Sequence, residues 1–407
     1  MPKVSRKGSS MPDSPIRKLD QYASEAKAKG VKVIHLNIGQ PDIESHPAAL
    51  KAIANYSSPI LAYTASPGIM DMRIQMANYY RRMNIIVDPQ HILVMAGGSE
   101  ALCFTMMSIL DEGDELIAPE PLYANFLAFA HIAGATLIPV NSDIESGFAL
   151  PHVSHFEEKI GARTKAILLC NPSNPTGYVY SKSELQDIAQ LVSKHDLFLI
   201  VDEVYREFFY GEENVVSALN LDGLDQHVIV CDSASKRFSL CGVRLGNVVS
   251  RNKSVLATIT KFSQARLSAP LMAQVAGIAA YEAEGSYFEA IRDTYQKRRD
   301  YLHARLSKIP GVVAPLPKGA FYIIARLPVQ DADDFCKWLL TDFSLDGYTL
   351  MMAPASGFYI TPGKGKQEVR LAYVLEESSI DIGMNCLEKA LETYTQLKPV
   401  GDAALFH

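Results

Sequence analysis

Residues 92–100 read Ile-Leu-Val-Met-Ala-Gly-Gly-Ser-Glu. A short apolar run bounded by turn residues predicts a strand buried on both faces, over 92–96. Gly97 and Gly98 stop it, and Ser99 is suited to cap a helix over 100–110. Strand, glycines and helix start together make a candidate anion site, because free backbone N–H groups and the helix dipole point out of such a turn. The alternation continues past the turn Asp111-Glu112-Gly113-Asp114. Strands are predicted over 115–118, 136–140, 165–169, 197–201, 227–231 and 245–249. Helices are predicted over 122–133, ending near Gly134, and over 182–195, capped by Ser181. Apolar strands separated by helices predict an α/β fold, a mostly parallel sheet sandwiched by helices. Ligands then bind at the carboxyl ends of the strands.

Further out the pattern changes. Residues 255–306 read as helical, with the charged run 292–300 on a solvated face. After Pro310-Gly311, strand-like stretches 321–325 and 369–373 flank a helix over 332–340, and a last helix covers 379–397. This predicts a smaller α+β domain. The expected division is a large domain over 48–300 and a small domain built from both chain ends, 1–47 and 301–407. At ~150 residues per domain, a chain of 407 residues fits that count.

Composition narrows the function. Hydrophobic residues make up 48% and charged residues 21%, as in ordinary globular chains. The net charge of −6 argues against a nucleic-acid binder, which needs a basic face. No apolar stretch approaches the ~18 residues of a membrane span. Residues 1–10 are basic and polar without an apolar run behind them, so a frayed tail is expected there rather than a secretory signal. The six cysteines are scattered, which suits buried thiols in a reducing compartment and predicts a cytoplasmic protein. His152 and His155 are the only closely spaced histidines and have no further ligands near them, so no metal is expected.

The chemistry concentrates in three loops that follow predicted strands. Residues 233–246 read Ser-Ala-Ser-Lys-Arg-Phe-Ser-Leu-Cys-Gly-Val-Arg-Leu-Gly. The hydroxyls of Ser233 and Ser235 with the fork of Arg244 suit a phosphate. Lys236 among cations in a shielded pocket suits an amine nucleophile. Residues 171–177, Asn-Pro-Ser-Asn-Pro-Thr-Gly, form a rigid non-helical turn. Residues 201–205, Val-Asp-Glu-Val-Tyr, put Asp202 at a strand end, where it serves as a helix cap or as partner to a buried cation. Asp202 stands 28 residues after Asn174 and 34 before Lys236. Arg370, amid apolar residues, needs a partner, either a structural ion pair or a ligand.

The run S-x-S-K-x-(F/W)-x-x-x-G-x-R-x-G resembles the lysine signature of the class I/II aminotransferases, pyridoxal-phosphate enzymes of fold type I with the aspartate aminotransferase-like architecture. The resemblance extends over nearly the whole chain. It implies that Lys236 forms a Schiff base with pyridoxal 5'-phosphate and then serves as general acid and base. It implies that Asp202 keeps the ring nitrogen protonated, that Asn174 and Tyr205 bond the 3-oxygen, and that Tyr123 stacks on the ring. Gly98, Ser99 and Glu100 are implied at the cofactor phosphate, mainly through backbone, beside Ser233, Ser235 and Arg244. Arg370 is implied on the substrate α-carboxylate with help from Asn174, and Gly39, in Gly39-Gln40-Pro41-Asp42, close to the substrate. Tyr63 resembles a tyrosine lent by the neighbouring subunit, which implies a homodimer. Some aspartate-preferring relatives carry Lys where Ser99 stands.

The implied activity moves an amino group from an L-amino acid to a 2-oxo acid with ping-pong kinetics. Aspartate is the first expected donor, alanine or an aromatic amino acid the next, and 2-oxoglutarate the expected acceptor. A β-eliminating C–S lyase of the same fold is the alternative, and it would need no acceptor. A non-enzymatic regulator is disfavoured, since the ~45 residues before the first large-domain helix leave no room for a DNA-binding domain of ordinary size. Ile16 and the 351–359 loop are unranked candidates for side-chain selection.

Overall fold

The computed structural model describes residues 2–211 and 215–398. Its strands in chain order are β1 (Lys32–His35), β2 (Ile92–Met95), β3 (Glu115–Glu120), β4 (Thr136–Asn141), β5 (Thr164–Cys170) and β6 (Phe198–Asp202). Then follow β7 (Val228–Ser233), β8 (Gly246–Val249), β9 (Tyr322–Arg326), β10 (Tyr348–Met351), β11 (Ala353–Pro354) and β12 (Glu368–Ala372). A seven-stranded sheet has the order β2-β8-β7-β6-β5-β3-β4. Its pairs are parallel except for those of β8, which runs antiparallel to β2 and β7. The strands β2 and β7 are buried along their whole length, β2 as a continuous apolar run and β7 with the polar Asp232 and Ser233 at its carboxyl end.

The parallel run has one consequence for function. The carboxyl ends of β5, β6 and β7 bring Cys170, Asp202 and Cys231 into register, with Ser233 two residues further along β7, and the three chemistry-bearing loops begin there. Helices set the loops' far ends. The helix Lys182–Lys194 opens on a capping box of Ser181 and Glu184, and buries Leu185, Ile188, Leu191 and Val192 on one face. The helix Gly98–Ile109 starts at Gly97, whose φ of 91° only glycine adopts readily.

Several elements differ from their sequence reading. The β3 strand continues through Pro119 to Glu120, because its pairing with β5 ends at Ile117 and only β4 accompanies the proline. The helix expected from residue 122 starts at Asn125. Leu122 instead gives its N–H to Phe358 O at 2.8 Å, after a cis Glu120–Pro121 bond. The stretch 255–306 divides into helices Lys253–Ala265, Leu271–Ala280 and Gly285–Leu306, the first break falling at Leu267 (φ 81°) and Pro270. The tail is not frayed over its described part. A short helix, Arg6–Ser9, is capped by Ser5, and Lys7 Nζ donates to Ile132 O at 2.7 Å, covering a carbonyl that the end of a helix leaves free.

Outside the large sheet, β11-β12-β9 form an antiparallel sheet, and β1 pairs in parallel with β10. Residues 32–35 are thereby joined to 348–351. No helix among the described residues is long and apolar enough to cross a membrane. All six cysteines are free thiols.

Candidate active site

The strand ends open into one cleft. It is lined by Gly98, Ser99, Tyr123, Asn174, Asp202, Tyr205, Ser233, Ser235, Lys236 and Arg244 from the large sheet's loops, by Arg370 from β12, and by Gly39. Twelve residues singled out from sequence thus converge. Lys236 follows the cap of a one-turn helix, Ala234–Arg237, set by Ser233. Its Nζ donates to Gly39 O at 2.6 Å. Ser233 Oγ donates to Leu245 O at 2.9 Å, and lies 2.8 Å from Ser235 Oγ. Arg244 adopts a left-handed φ of 62°, and its guanidinium comes so close to Gly97 that a Cβ there would lie 2.5 Å from Nη2.

Arg370 lies across the cleft and is 1% exposed. It donates to Asn174 Oδ1 at 2.9 Å and to Asn37 O at 2.6 Å, and its guanidinium lies over the Tyr322 ring at 4.3 Å. No carboxylate pairs with it among the described residues, and its buried Nε has no partner. Burial therefore lowers its pKa. A buried guanidinium without an anion fits a ligand rather than a structural ion pair.

Comparison with known proteins settles the family. The family model for aminotransferase class I and II matches residues 31–382. A probable aspartate/prephenate aminotransferase of Aquifex aeolicus is 31% identical over 387 residues, covering 93% of this chain and 96% of the relative. This chain is a class I/II aminotransferase. The aspartate aminotransferase of Bacillus subtilis is 29% identical, covering 96% of this chain and 97% of its own. The alanine aminotransferase of Pyrococcus furiosus superposes with a TM-score of 0.88 at 28% identity, covering 96% of this chain and 100% of that one. The enzyme is accordingly a pyridoxal-phosphate-dependent transaminase acting on amino acids and 2-oxo acids.

The aminotransferase's cleft fits that cofactor. Backbone at Gly97–Gly98, two hydroxyls and Arg244 form a donor set for a phosphate. Asp202 lines the same cleft as a buried carboxylate whose only hydrogen bond among the described residues is from Val204 N–H, at 3.2 Å. Burial raises its pKa to about 7, with Asp232 and Glu203 adding to the rise. A ring cation is the partner such a carboxylate lacks. Tyr205 meets Tyr322 hydroxyl to hydroxyl at 2.9 Å, and Asn125 Nδ2 donates to Tyr123 Oη at 2.8 Å.

Two expected residues lie elsewhere. Glu100 does not line the cleft: its side chain accepts from Ala96 N–H at 2.7 Å and pairs with Arg266 at 3.2 Å, so only its backbone is available near the turn. Tyr63 is 80% exposed and stands away from this chain's cleft.

Sequence reasoning missed Tyr322, Asn125, Arg17 and Cys241, all of which line the cleft. It also missed a buried ionic cluster beneath it. Arg206 bonds Glu203 and Asp232, Asp232 takes Arg237 as well, and all four side chains are fully buried. Each is the chain neighbour of a cleft residue: Glu203 of Asp202, Arg206 of Tyr205, Asp232 of Ser233, and Arg237 of Lys236. Buried pairs of this kind fix geometry more than they add stability. Charge type alone gave no signal for them, since a charged residue is most often at the surface.

Proposed function

We propose that this cleft transfers the amino group of an L-amino acid, aspartate first, to 2-oxoglutarate. One observation carries the reading: Lys236, Asp202 and the unpaired Arg370 face a single cleft. When bound, pyridoxal phosphate supplies a carbonyl carbon that condenses with amines and a protonated ring that takes up the electron pair left on the α-carbon. Ser233, Ser235, Arg244 and the backbone of Gly98, Ser99 and Glu100 would hold its phosphate. Asp202 would keep the ring nitrogen protonated, Asn174 and Tyr205 would bond the 3-oxygen, and Tyr123 would cover the ring face.

Arg370 with Asn174 orients the substrate by its α-carboxylate, beside the backbone of Gly39. Lys236 Nζ, in contact with Gly39 O, would then take the proton from the substrate α-carbon and deliver it to the cofactor carbon that carries the amine, with the reverse transfer serving the 2-oxo acid. Aspartate as first donor follows the names of the Bacillus and Aquifex relatives, while the Pyrococcus neighbour makes alanine the next.

The same reading extends to the whole protein. The active unit is a homodimer, since Tyr63, Ile60 and Leu61 are 80%, 70% and 68% exposed on one extended segment. The domains divide at 48–300 against 1–47 with 301–407, in keeping with the β1–β10 pairing of the chain ends. A cytoplasmic location accords with six free thiols.

A panel of amino donors assayed with and without 2-oxoglutarate tests the proposal. Product formation that depends on the acceptor, highest with aspartate, is expected. Pyruvate and ammonia released from cystathionine without acceptor would replace it by the C–S lyase reading.

A further inference from the structure

We propose that Arg17 binds a second carboxylate on the substrate, so that the aminotransferase selects dicarboxylic donors and acceptors. The inference rests on the cleft assignments above and adds the residue that reads the side chain.

Five charged side chains line the cleft: Arg17, Asp202, Lys236, Arg244 and Arg370. The cofactor occupies Asp202, Lys236 and Arg244 in that reading, and the α-carboxylate occupies Arg370. Arg17 is the cation left over. Its guanidinium has no hydrogen bond or ion pair among the described residues. The adjacent cation differs: Lys18 is paired with Asp333, which also accepts from Ser356 Oγ at 2.5 Å.

The backbone that carries Arg17 is pinned. Pro15 packs so closely on Gly357 that a Cβ there would lie 2.1 Å from the proline Cβ. Ile16 packs against the apolar cluster that includes Ala124, Ala355, Phe358 and Tyr359. Asn37 ties this segment to the α-carboxylate site. Its carbonyl accepts from Arg370 Nη2 at 2.6 Å, and its Nδ2 donates to Ile16 O at 3.4 Å. One asparagine therefore fixes the separation between the segment bearing Arg17 and Arg370. Two guanidinium-bearing residues lining one cleft, with their backbones tied through Asn37, match a molecule with a carboxylate at each end, by charge and by fork geometry. A monocarboxylic substrate leaves Arg17 with water alone, so the second carboxylate contributes its charge-assisted hydrogen bonds only for dicarboxylic substrates.

The test compares wild-type holoenzyme with Arg17→Gln and Arg17→Lys. Turnover is measured for aspartate and glutamate against alanine and phenylalanine, and binding for succinate against butyrate by calorimetry. In Arg17→Gln, kcat/KM for the dicarboxylic donors and affinity for succinate are expected to fall about 10- to 100-fold, with the others changed less than about threefold. Arg17→Lys is expected to recover part of the loss. Equal losses for all ligands, no loss for any, or a wild type that prefers monocarboxylic donors overturns the inference while the cleft reading stands. A wild type that turns over no donor at all overturns the cleft reading and this inference with it.

Discussion

Asp202 ends β6 with a buried carboxylate that accepts one backbone N–H, and burial lifts its pKa from 3.8 to about 7. Between those values the folded, cofactor-free chain keeps a proton that the unfolded chain releases, so this group's contribution to stability is lost as pH rises from about 4 to 7. Asp202→Asn removes the buried charge. At pH 8 the cofactor-free variant is expected to melt above cofactor-free wild type, with the gap closing toward pH 4. Its cofactor affinity at pH 8 is expected to fall about 100-fold, since the ring cation loses its counter-charge. Thermal melts across pH and a cofactor titration check both signs, and a variant that melts below wild type at pH 8 contradicts the account. Asp202 was legible in the sequence because an acid at the end of an apolar run has few other uses. Arg206, Glu203, Asp232 and Arg237 were not. Their longest pairing, Arg206 with Asp232, spans 26 residues of chain, and only the sheet brings the two ends together.

At the level of elements, apolar runs and glycine turns located the strands of the large sheet and the loops that carry the chemistry. The parallel majority was legible from the alternation of strands and helices, but the reversed direction of β8 was not, because an apolar run by itself reads the same in either orientation. The antiparallel β8 follows from the short return after β7, and it presses Gly246 against the anion-binding turn. A Cβ on Gly246 would lie 2.5 Å from Gly97 C and 2.8 Å from Gly98 N. These are backbone atoms that no rotamer change can move, so the turn must open. Gly246→Ala is expected to cost about 1–3 kcal/mol in chemical denaturation, and to weaken cofactor binding more than a surface glycine substitution such as Gly211→Ala. Equal cofactor affinity in the two variants would show that the turn does not hold the phosphate. The break of residues 255–306 into three helices was signalled by Pro270. The start of the helix at Asn125 was not, since it depends on Leu122 bonding the distant Phe358.

For the molecule as a whole, the side chains of Ile60, Leu61 and Tyr63 are largely exposed, and the proposed homodimer would cover them with a second copy. Mixed dimers separate the two chains' contributions. A Lys236→Ala chain paired with a Tyr63→Ala chain contains one site with both residues intact, so each mixed dimer is expected to reach roughly half the wild-type rate, and an equal mixture of the two weakly active parents about a quarter after random reassortment. No recovery contradicts a shared site. The proposed domain division rests on a change of pattern along the chain, whereas the place of Arg17 in the cleft was not legible, because it comes from a segment remote in sequence. The central claim is that one cleft, worked by Lys236, carries the whole transfer. Initial rates over a grid of aspartate and 2-oxoglutarate concentrations, with pyridoxal phosphate added, test it in wild type and in Lys236→Ala. Parallel double-reciprocal lines in wild type and a loss of about 100-fold or more in the variant are the expected result; a variant that turns over near the wild-type rate would contradict the account.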